Sequence, residues 1–201
     1  SKQYLVGNYK RSKYQAEVKV LDMAKKGLPV VVVNPTYPVG PWDVKPTPSG
    51  RVVVDYMRGR IPAYIDTGMN LVDVEDVAQG HVLALERGRI GERYLLGNRN
   101  VTLGGMFKLL QEITGIRAPR IKLPLWLALA AGYADEVVEG RLMRRTPSIP
   151  LEGLKVSRKP MYVSCEKAVR ELGLPQSSVE GALEKALRWF RDHGFARGSM
   201  P

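Results

Sequence analysis

The sequence has 201 residues, of which 44% are hydrophobic and 25% are charged, a composition typical of a globular protein. One cysteine excludes a disulfide scaffold, and two histidines leave no Cys/His zinc site, so we expect no metal centre. No apolar run approaches the ~20 residues that a membrane span needs, and no signal peptide opens the chain. We therefore expect a cytoplasmic protein without a membrane span.

The formal net charge of +11 raises the question of nucleic-acid binding. The 31 lysines and arginines are spread along the chain, with no block of five like charges and no zinc-finger, basic-zipper or RNA-binding motif. The pattern favours solvated helix faces and some anion recognition, and predicts no nucleic-acid partner. Attraction of a basic surface to acidic membranes is the lesser alternative.

The first half of the chain alternates between helix and strand patterns. A helix is predicted over residues 9–26 with Gly27 at its end, followed by a β-branched run, 28–34, typical of a strand buried on both faces. The next predicted elements are a Pro/Gly-rich segment over 35–50, a short helix over 52–58 capped by Ser49, and strands at 63–66 and 71–74.

The second half reads mainly as helices. The predicted elements are a helix from Asp73 or Glu75 to Arg87, a strand over 93–96, a helix from Thr102 to Gly115, an apolar helix over 124–143, a short helix capped by Ser164, and an amphipathic helix over 179–193. Cys165, with no evident His or Asp partner, is expected to be an inert packing residue. Helix–strand alternation followed by helices predicts an α/β layer joined to a mainly helical part.

The first helix carries the clearest chemical pattern. Tyr9 and Lys13 lie one turn apart on a face that continues through Ala16, Val20 and Ala24. A nearby ammonium favours the phenolate, which lowers the tyrosine pKa toward the range useful for acid/base catalysis. A second apolar strip, through Tyr14, Val18 and Leu21, predicts that the helix is covered on two sides.

Several motifs resemble one enzyme family, in order and over the whole chain. Residues 9–17 (YKRSKYQAE) resemble the Y-x-x-S-K-x-x-A-E active-site helix of extended short-chain dehydrogenases/reductases. Residues 33–41, 71–78, 91–97 and 167–173 are similar to later segments of that family. The segments 40–50 and 64–68 most resemble the group of hopanoid-associated sugar epimerases and dihydroflavonol reductase-like proteins.

The resemblance implies the C-terminal part of a doubly wound Rossmann-type parallel sheet, plus a small, mainly helical substrate-binding domain. Residues 1–41 and 71–98 would belong to the dinucleotide-binding domain, and residues 42–70 and 99–201 to the substrate-binding domain. The Gly-rich phosphate loop and the Ser/Thr beside the catalytic tyrosine would lie upstream, because neither is present here. The implied cofactor is NAD or NADP, a choice made by upstream residues.

The resemblance also implies roles for individual residues. Tyr9 would exchange a proton with the substrate, and Lys13 would bind the nicotinamide ribose and lower the tyrosine pKa. Pro35 and the backbone near Val39 would border the nicotinamide. Asn34 would contact substrate phosphates, or else simply cap the end of its strand before a proline.

These implications predict an epimerase or reductase acting on a sugar-like or other secondary alcohol or ketone. Asn70-Leu71 replaces the Arg-Asp pair of sugar-nucleotide epimerases, which favours a smaller or less charged substrate. The family commonly dimerises through the Tyr/Lys helix, so a homodimer through residues 9–26 is expected. The competing hypothesis is a truncated, inactive fragment that serves only as a binding or interaction domain.

Overall fold

A computed structural model describes residues 8–135, 157 and 159–196, and the side chains of residues 8, 9, 134 and 135 are not described. The helices are α1 (Asn8–Ala24), α2 (Pro48–Met57), α3 (Val74–Arg87), α4 (Leu103–Thr114), α5 (Leu125–Asp135), α6 (Glu166–Leu172) and α7 (Val179–Asp192). The strands are β1 (Val32–Pro35), β2 (Tyr37–Val39), β3 (Ala63–Tyr64), β4 (Gly68–Asp73), β5 (Arg93–Leu96), β6 (Arg99–Thr102) and β7 (Ile121–Lys122).

The strands pair mainly in parallel, as an α/β fold requires. β1 lies parallel to β5, β2 parallel to β4, and β3 parallel to β7. Parallel neighbours need long crossover connections, which here contain helices. β6 pairs antiparallel with β4 and was not expected from the sequence, because its four residues, Arg-Asn-Val-Thr, lack an apolar alternation. The predicted α/β class with parallel strand pairs is confirmed.

Two predicted helix starts are confirmed by their caps. The Asp73 carboxylate accepts a hydrogen bond from the Glu75 N–H at 2.9 Å, and the Thr102 hydroxyl accepts one from the Gly105 N–H at 2.9 Å. Each satisfies an N–H that the first helical turn would otherwise leave without a partner. Gly115 ends α4 in the left-handed conformation, as predicted.

Other boundaries were predicted wrongly. Thr47, not Ser49, caps α2, because Pro48 fits the first helical position and moves the start four residues earlier. Cys165, not Ser164, stands at the cap position of α6, but the side-chain bond to the helix comes from the Ser164 hydroxyl, which accepts from the Glu166 N–H at 3.4 Å.

The β-branched run of the first strand also differs from its prediction. β1 begins only at Val32 and is half-buried, because in the described part of the chain it pairs with β5 alone. The described part of α5 ends at Asp135, so the predicted extension to residue 143 lies outside the described residues.

Two clusters of buried apolar side chains form the core. The first lies between the β2–β4–β6 sheet and helices α2, α4 and α7, and its largest fully buried members are Tyr56, Phe107, Phe190, Leu71, Met106, Leu110, Leu183, Leu187 and Val53. The second joins α3, β5 and α6 around Val72, Tyr94, Leu96 and Leu172. Because α6 packs on β5, residues 166–172 share a core with residues 93–96. The predicted two-domain division stays a prediction.

Within the described ranges, no helix is both long enough and apolar enough to cross a bilayer.

Gly40 directly follows β2 and lies against Val74, the first residue of α3, so it tests how tightly these elements pack. Its φ is +153°, and a Cβ at this position would overlap the Val74 side chain. We expect Gly40→Ala to lower the free energy of unfolding by about 2–4 kcal/mol, through backbone strain and overpacking together. Urea denaturation measures this loss.

Gly59→Ala is the matched control, because Gly59 has a φ of +63° and a Cβ added there would meet no atom within 4 Å. It should lose only about 1 kcal/mol, the cost of the left-handed backbone. Equal losses at both sites would contradict the close approach of Gly40 to Val74.

Candidate active site

Helix α1 holds the two residues predicted to carry the chemistry. It runs over Asn8–Ala24, so Tyr9 and Lys13 are separated by one helical turn and share a face. The Tyr9 side chain lies outside the described residues, and Lys13 is exposed. None of the described α1 side chains is fully buried. Neither predicted apolar strip is therefore fully covered by the described residues.

Glu17, one turn beyond Lys13, fixes α1 to the parallel strands. Its carboxylate accepts a hydrogen bond from the Asn34 amide at 3.0 Å and forms an ion pair with Arg93 at 2.6 Å. Asn34 lies near the carboxyl end of β1, and Arg93 begins β5. Glu17 is the last residue of the motif over residues 9–17. The sequence predicts no role for it, because its two partners are distant along the chain.

Asn34 has one oxygen that finds no partner. Its amide nitrogen is held by Glu17, while its Oδ1 is buried without a hydrogen-bond partner among the described residues. Burying an unpaired polar atom is costly, so this oxygen is a candidate acceptor for a bound ligand. The contact with Glu17 also agrees with the alternative prediction for Asn34, in which this residue caps the end of its strand.

The structure separates the two other predicted cofactor contacts. Pro35 is exposed and ends β1 beside Asn34. Val39 ends β2, with its side chain only 4% exposed in the first core cluster. Pro35 is therefore accessible to a ligand near Asn34, whereas any contact made by Val39 would have to use its backbone.

Tyr37 is a titratable group near these strand ends for which the sequence predicts no role. It begins β2, and burial raises the pKa of its phenol to about 12. The side chain therefore stays protonated at neutral pH. It can act as a neutral hydrogen-bond donor, but not as a base.

Asn70 holds together the region around these strand ends. It is 2% exposed, and its Oδ1 accepts hydrogen bonds from the Thr36 hydroxyl at 3.0 Å and from the Asn98 N–H at 2.9 Å. Its amide nitrogen donates to the Asn98 carbonyl at 3.3 Å and to the Asn100 Oδ1 at 2.8 Å. In the sequence Asn70 stands out only as a departure from an Arg-Asp pair, but the structure makes it a buried, fully bonded amide.

Close packing surrounds this amide. A Cβ on Gly97 would overlap the Asn70 Oδ1, the Cys165 sulfur and the Thr36 methyl group, so this position requires glycine. Cys165 is 7% exposed, and burial raises the pKa of its thiol. A raised pKa disfavours the reactive thiolate, which agrees with the expected packing role.

Two aspartates, Asp73 at the end of β4 and Asp76 in the first turn of α3, have structural contacts. Asp73 caps α3 and forms an ion pair with Lys185 of α7. Asp76 accepts hydrogen bonds from the Ser177 N–H and hydroxyl, both at 2.8 Å. Both carboxylates therefore connect α3 to the chain around α7. No group of three metal-ligating side chains occurs among the residues the structure covers.

Comparison with known proteins identifies the family. Residues 2–97 match the NAD dependent epimerase/dehydratase family. The chain is 48% identical over 197 residues to the "Putative dihydroflavonol 4-reductase" of Synechocystis sp., covering 96% of this chain and 57% of that protein. The match over residues 2–97 is to the family that the motifs predicted, and the similarity to this relative extends over nearly the whole chain.

Solved structures support the same fold. The crystal structure of gox2253 has a TM-score of 0.82 at 42% identity, covering 98% of this chain and 60% of that one. A nucleoside-diphosphate-sugar epimerase from Pseudomonas aeruginosa has a TM-score of 0.79 at 29% identity, covering 98% and 59%. The predicted Rossmann-type fold class is confirmed. The chain spans a little over half the length of the relatives it matches.

The Asn70 contacts predict a large effect of an apolar replacement. Asn70→Leu keeps the approximate volume but leaves the Asn98 N–H without its acceptor, while the Thr36 hydroxyl keeps only the Leu96 carbonyl at 3.3 Å. We expect the free energy of unfolding to fall by about 2–4 kcal/mol, measured by urea denaturation.

Asn98→Ala provides the comparison, because Asn98 contacts Asn70 through its backbone and loses only a side-chain bond to Ser177. Its loss should be about 1 kcal/mol. An Asn70→Leu protein as stable as this control would show that the buried amide is dispensable.

Proposed function

We propose that the chain is the C-terminal part of an NAD(P)-dependent epimerase or reductase that transfers hydride on a sugar-like or other secondary alcohol or ketone. The observation that carries the proposal is the placement of Tyr9 and Lys13 on one face of α1, with Glu17 of the same helix anchored at the strand ends. The family match over residues 2–97 supports this assignment of the helix.

The residues at the strand ends fit the nicotinamide end of a dinucleotide. Lys13 and Pro35 are exposed, and the Asn34 Oδ1 is a buried acceptor without a partner in the described region. Lys13 would bind the ribose hydroxyls, and Pro35 would border the ring. A Gly-rich phosphate loop is absent from these 201 residues, so we place the pyrophosphate site on upstream sequence. When bound, the cofactor supplies the hydride donor or acceptor.

The proton chemistry belongs to α1. Tyr9 exchanges a proton with the substrate oxygen, while the Lys13 ammonium stabilises the phenolate form of the tyrosine. Glu17 acts as a positioning residue, since its contacts with Asn34 and Arg93 fix the helix that carries both groups. A helix held in this way keeps the backbone positions of both residues fixed relative to the strand ends.

The buried state of Asn70 bears on the substrate. All four of its hydrogen-bonding positions are used inside the protein, so its amide is not available to a ligand. An arginine at this position could not be accommodated in the same bonds. We therefore favour a substrate that has no diphosphate group over a nucleotide sugar. The similarity to a putative dihydroflavonol 4-reductase agrees with this choice.

We further propose a homodimer in the cytoplasm that uses the outer face of α1. Tyr14 and Val18, one turn apart on this helix, are 49% and 40% exposed in the single chain. Exposed apolar side chains repeated along one helix gain free energy when a second copy covers them. The dimer would then bring two active-site helices together.

Replacing the tyrosine tests the catalytic assignment. In the full-length protein, Tyr9→Phe removes only the phenolic hydroxyl, so kcat should fall by about 10²–10⁴-fold while cofactor binding changes little. Turnover assays and cofactor fluorescence titration measure the two quantities.

Tyr14→Phe, on the same helix and 49% exposed, is the matched control and should retain its turnover. Retained turnover in Tyr9→Phe would remove Tyr9 from the mechanism.

A charge placed on the outer face of α1 tests the dimer. Val18→Glu should shift the protein toward monomer in light scattering, because the interface would have to bury an unpaired carboxylate. Gln15→Glu adds the same charge at an exposed polar position and should leave assembly unchanged. Unchanged assembly in both variants would rule out this helix face as the interface.

A further inference from the structure

Helix α5 has an outward face without charged side chains. This α5 face consists of Trp126, Leu127, Ala130, Ala131 and Tyr133, all exposed, with Trp126 at 70% and Tyr133 at 52%. On the opposite side of the helix, Ala128 and Gly132 are buried. From Leu123 to Tyr133 the chain contains no acidic or basic residue.

This pattern differs from that of an ordinary surface helix. The exposed side of α7, for example, presents Glu184, Arg188 and Arg191 to solvent. A helix packed on a soluble core normally has such a polar outer side, and a contiguous exposed apolar patch marks an interaction surface. The α5 face therefore presents an exposed tryptophan and an exposed leucine to a partner.

Basic residues lie immediately before the helix. Arg117, Arg120 and Lys122 are exposed, and Ile121 between the last two is 59% exposed. Lys122 forms an ion pair with Asp66 at 2.7 Å. Arg117 and Arg120 form no ion pair with any described residue, so their charges are available to an external anion.

We propose that the α5 face, with Arg117 and Arg120, is a docking surface for an anionic lipid bilayer. Aromatic and aliphatic side chains of an interfacial helix enter the boundary between headgroups and acyl chains, and neighbouring arginines contact lipid phosphates. A second copy of this chain fits less well, because both copies would carry the same positive net charge and the same two arginines. The net charge of +11 adds long-range attraction to the same membrane.

The proposal concerns binding at the membrane surface and is independent of the proposed enzymatic function. It is compatible with the absence of a spanning helix in the described ranges, since an interfacial helix lies in the plane of the bilayer. Its consequence is that the protein would divide between solution and membrane according to lipid charge and salt concentration.

Vesicle co-sedimentation of the purified full-length protein tests the proposal. Phosphatidylcholine vesicles are compared with vesicles in which about one third of the lipid is phosphatidylserine. The protein should bind only the second kind, and less at higher salt. Arg117→Gln with Arg120→Gln should weaken binding roughly 25-fold, and Trp126→Ser with Leu127→Ser on the order of tenfold or more.

Matched controls carry the same substitutions elsewhere. Arg51→Gln with Arg188→Gln removes two exposed arginines from α2 and α7. Trp42→Ser with Val44→Ser removes side chains that are 76% and 73% exposed. Both controls should bind nearly as well as the parent protein. Circular dichroism and urea denaturation establish that every variant is folded.

Three results would overturn the proposal. They are equal binding to both kinds of vesicle, no binding to either, and losses in the controls that equal those in the α5 variants. Light scattering on the same samples tests the alternative that a second copy of the chain occupies the α5 face. If Trp126→Ser with Leu127→Ser dissociates an oligomer while vesicles bind no protein, the α5 face is a contact between copies and the proposal is wrong.

Discussion

The arrangement of the strands depends on one buried amide. The segment 32–39 pairs first with β5 and then with β4. The segment 93–102 pairs first with β1 and then with β4. Asn70 lies where both segments change pairing partners, and it forms hydrogen bonds with Thr36 of the first segment and Asn98 of the second. An unpaired polar atom on a buried amide is costly, so the Asn70 bonds favour having both strand crossings in register at the same time. The candidate active site is built directly on these strand ends.

The features of the fold that could be predicted from the sequence are those encoded locally. Helix periodicity, the Asp73 and Thr102 caps and the order of the motifs are encoded within a few residues of each other, and the structure agrees with them. The cap of α2 was missed because Ser49 and Thr47 are equally plausible caps until Pro48 is given its place in the first turn. Strand β6 and the role of Asn70 depend on contacts between residues 28 or more positions apart, and no local pattern specifies such pairs.

The excess of positive charge is distributed among different uses. Several basic residues join separate elements: Arg93 binds Glu17, Arg99 binds Glu180, and Lys185 binds Asp73. Exposed ion pairs of this kind add little free energy individually, but they orient the elements that they join. Others, such as Arg117 and Arg120, have no acidic partner in the described part of the chain. Composition reveals only the total charge, whereas the fold separates cations that secure the structure from cations that remain available to partners.

Helix α7 contributes Ala182, Leu183, Ala186, Leu187 and Phe190 to the first core cluster, more than 100 residues after the β4 strand that they cover. During translation, β4, α2 and α4 therefore leave the ribosome well before the helix that completes their core. Their apolar sides stay exposed in the nascent chain until residues 179–190 have been synthesised, a condition under which intermediates aggregate or engage chaperones. Synthesis speed over this interval, and not only final stability, should thus determine how much of the protein reaches its folded state.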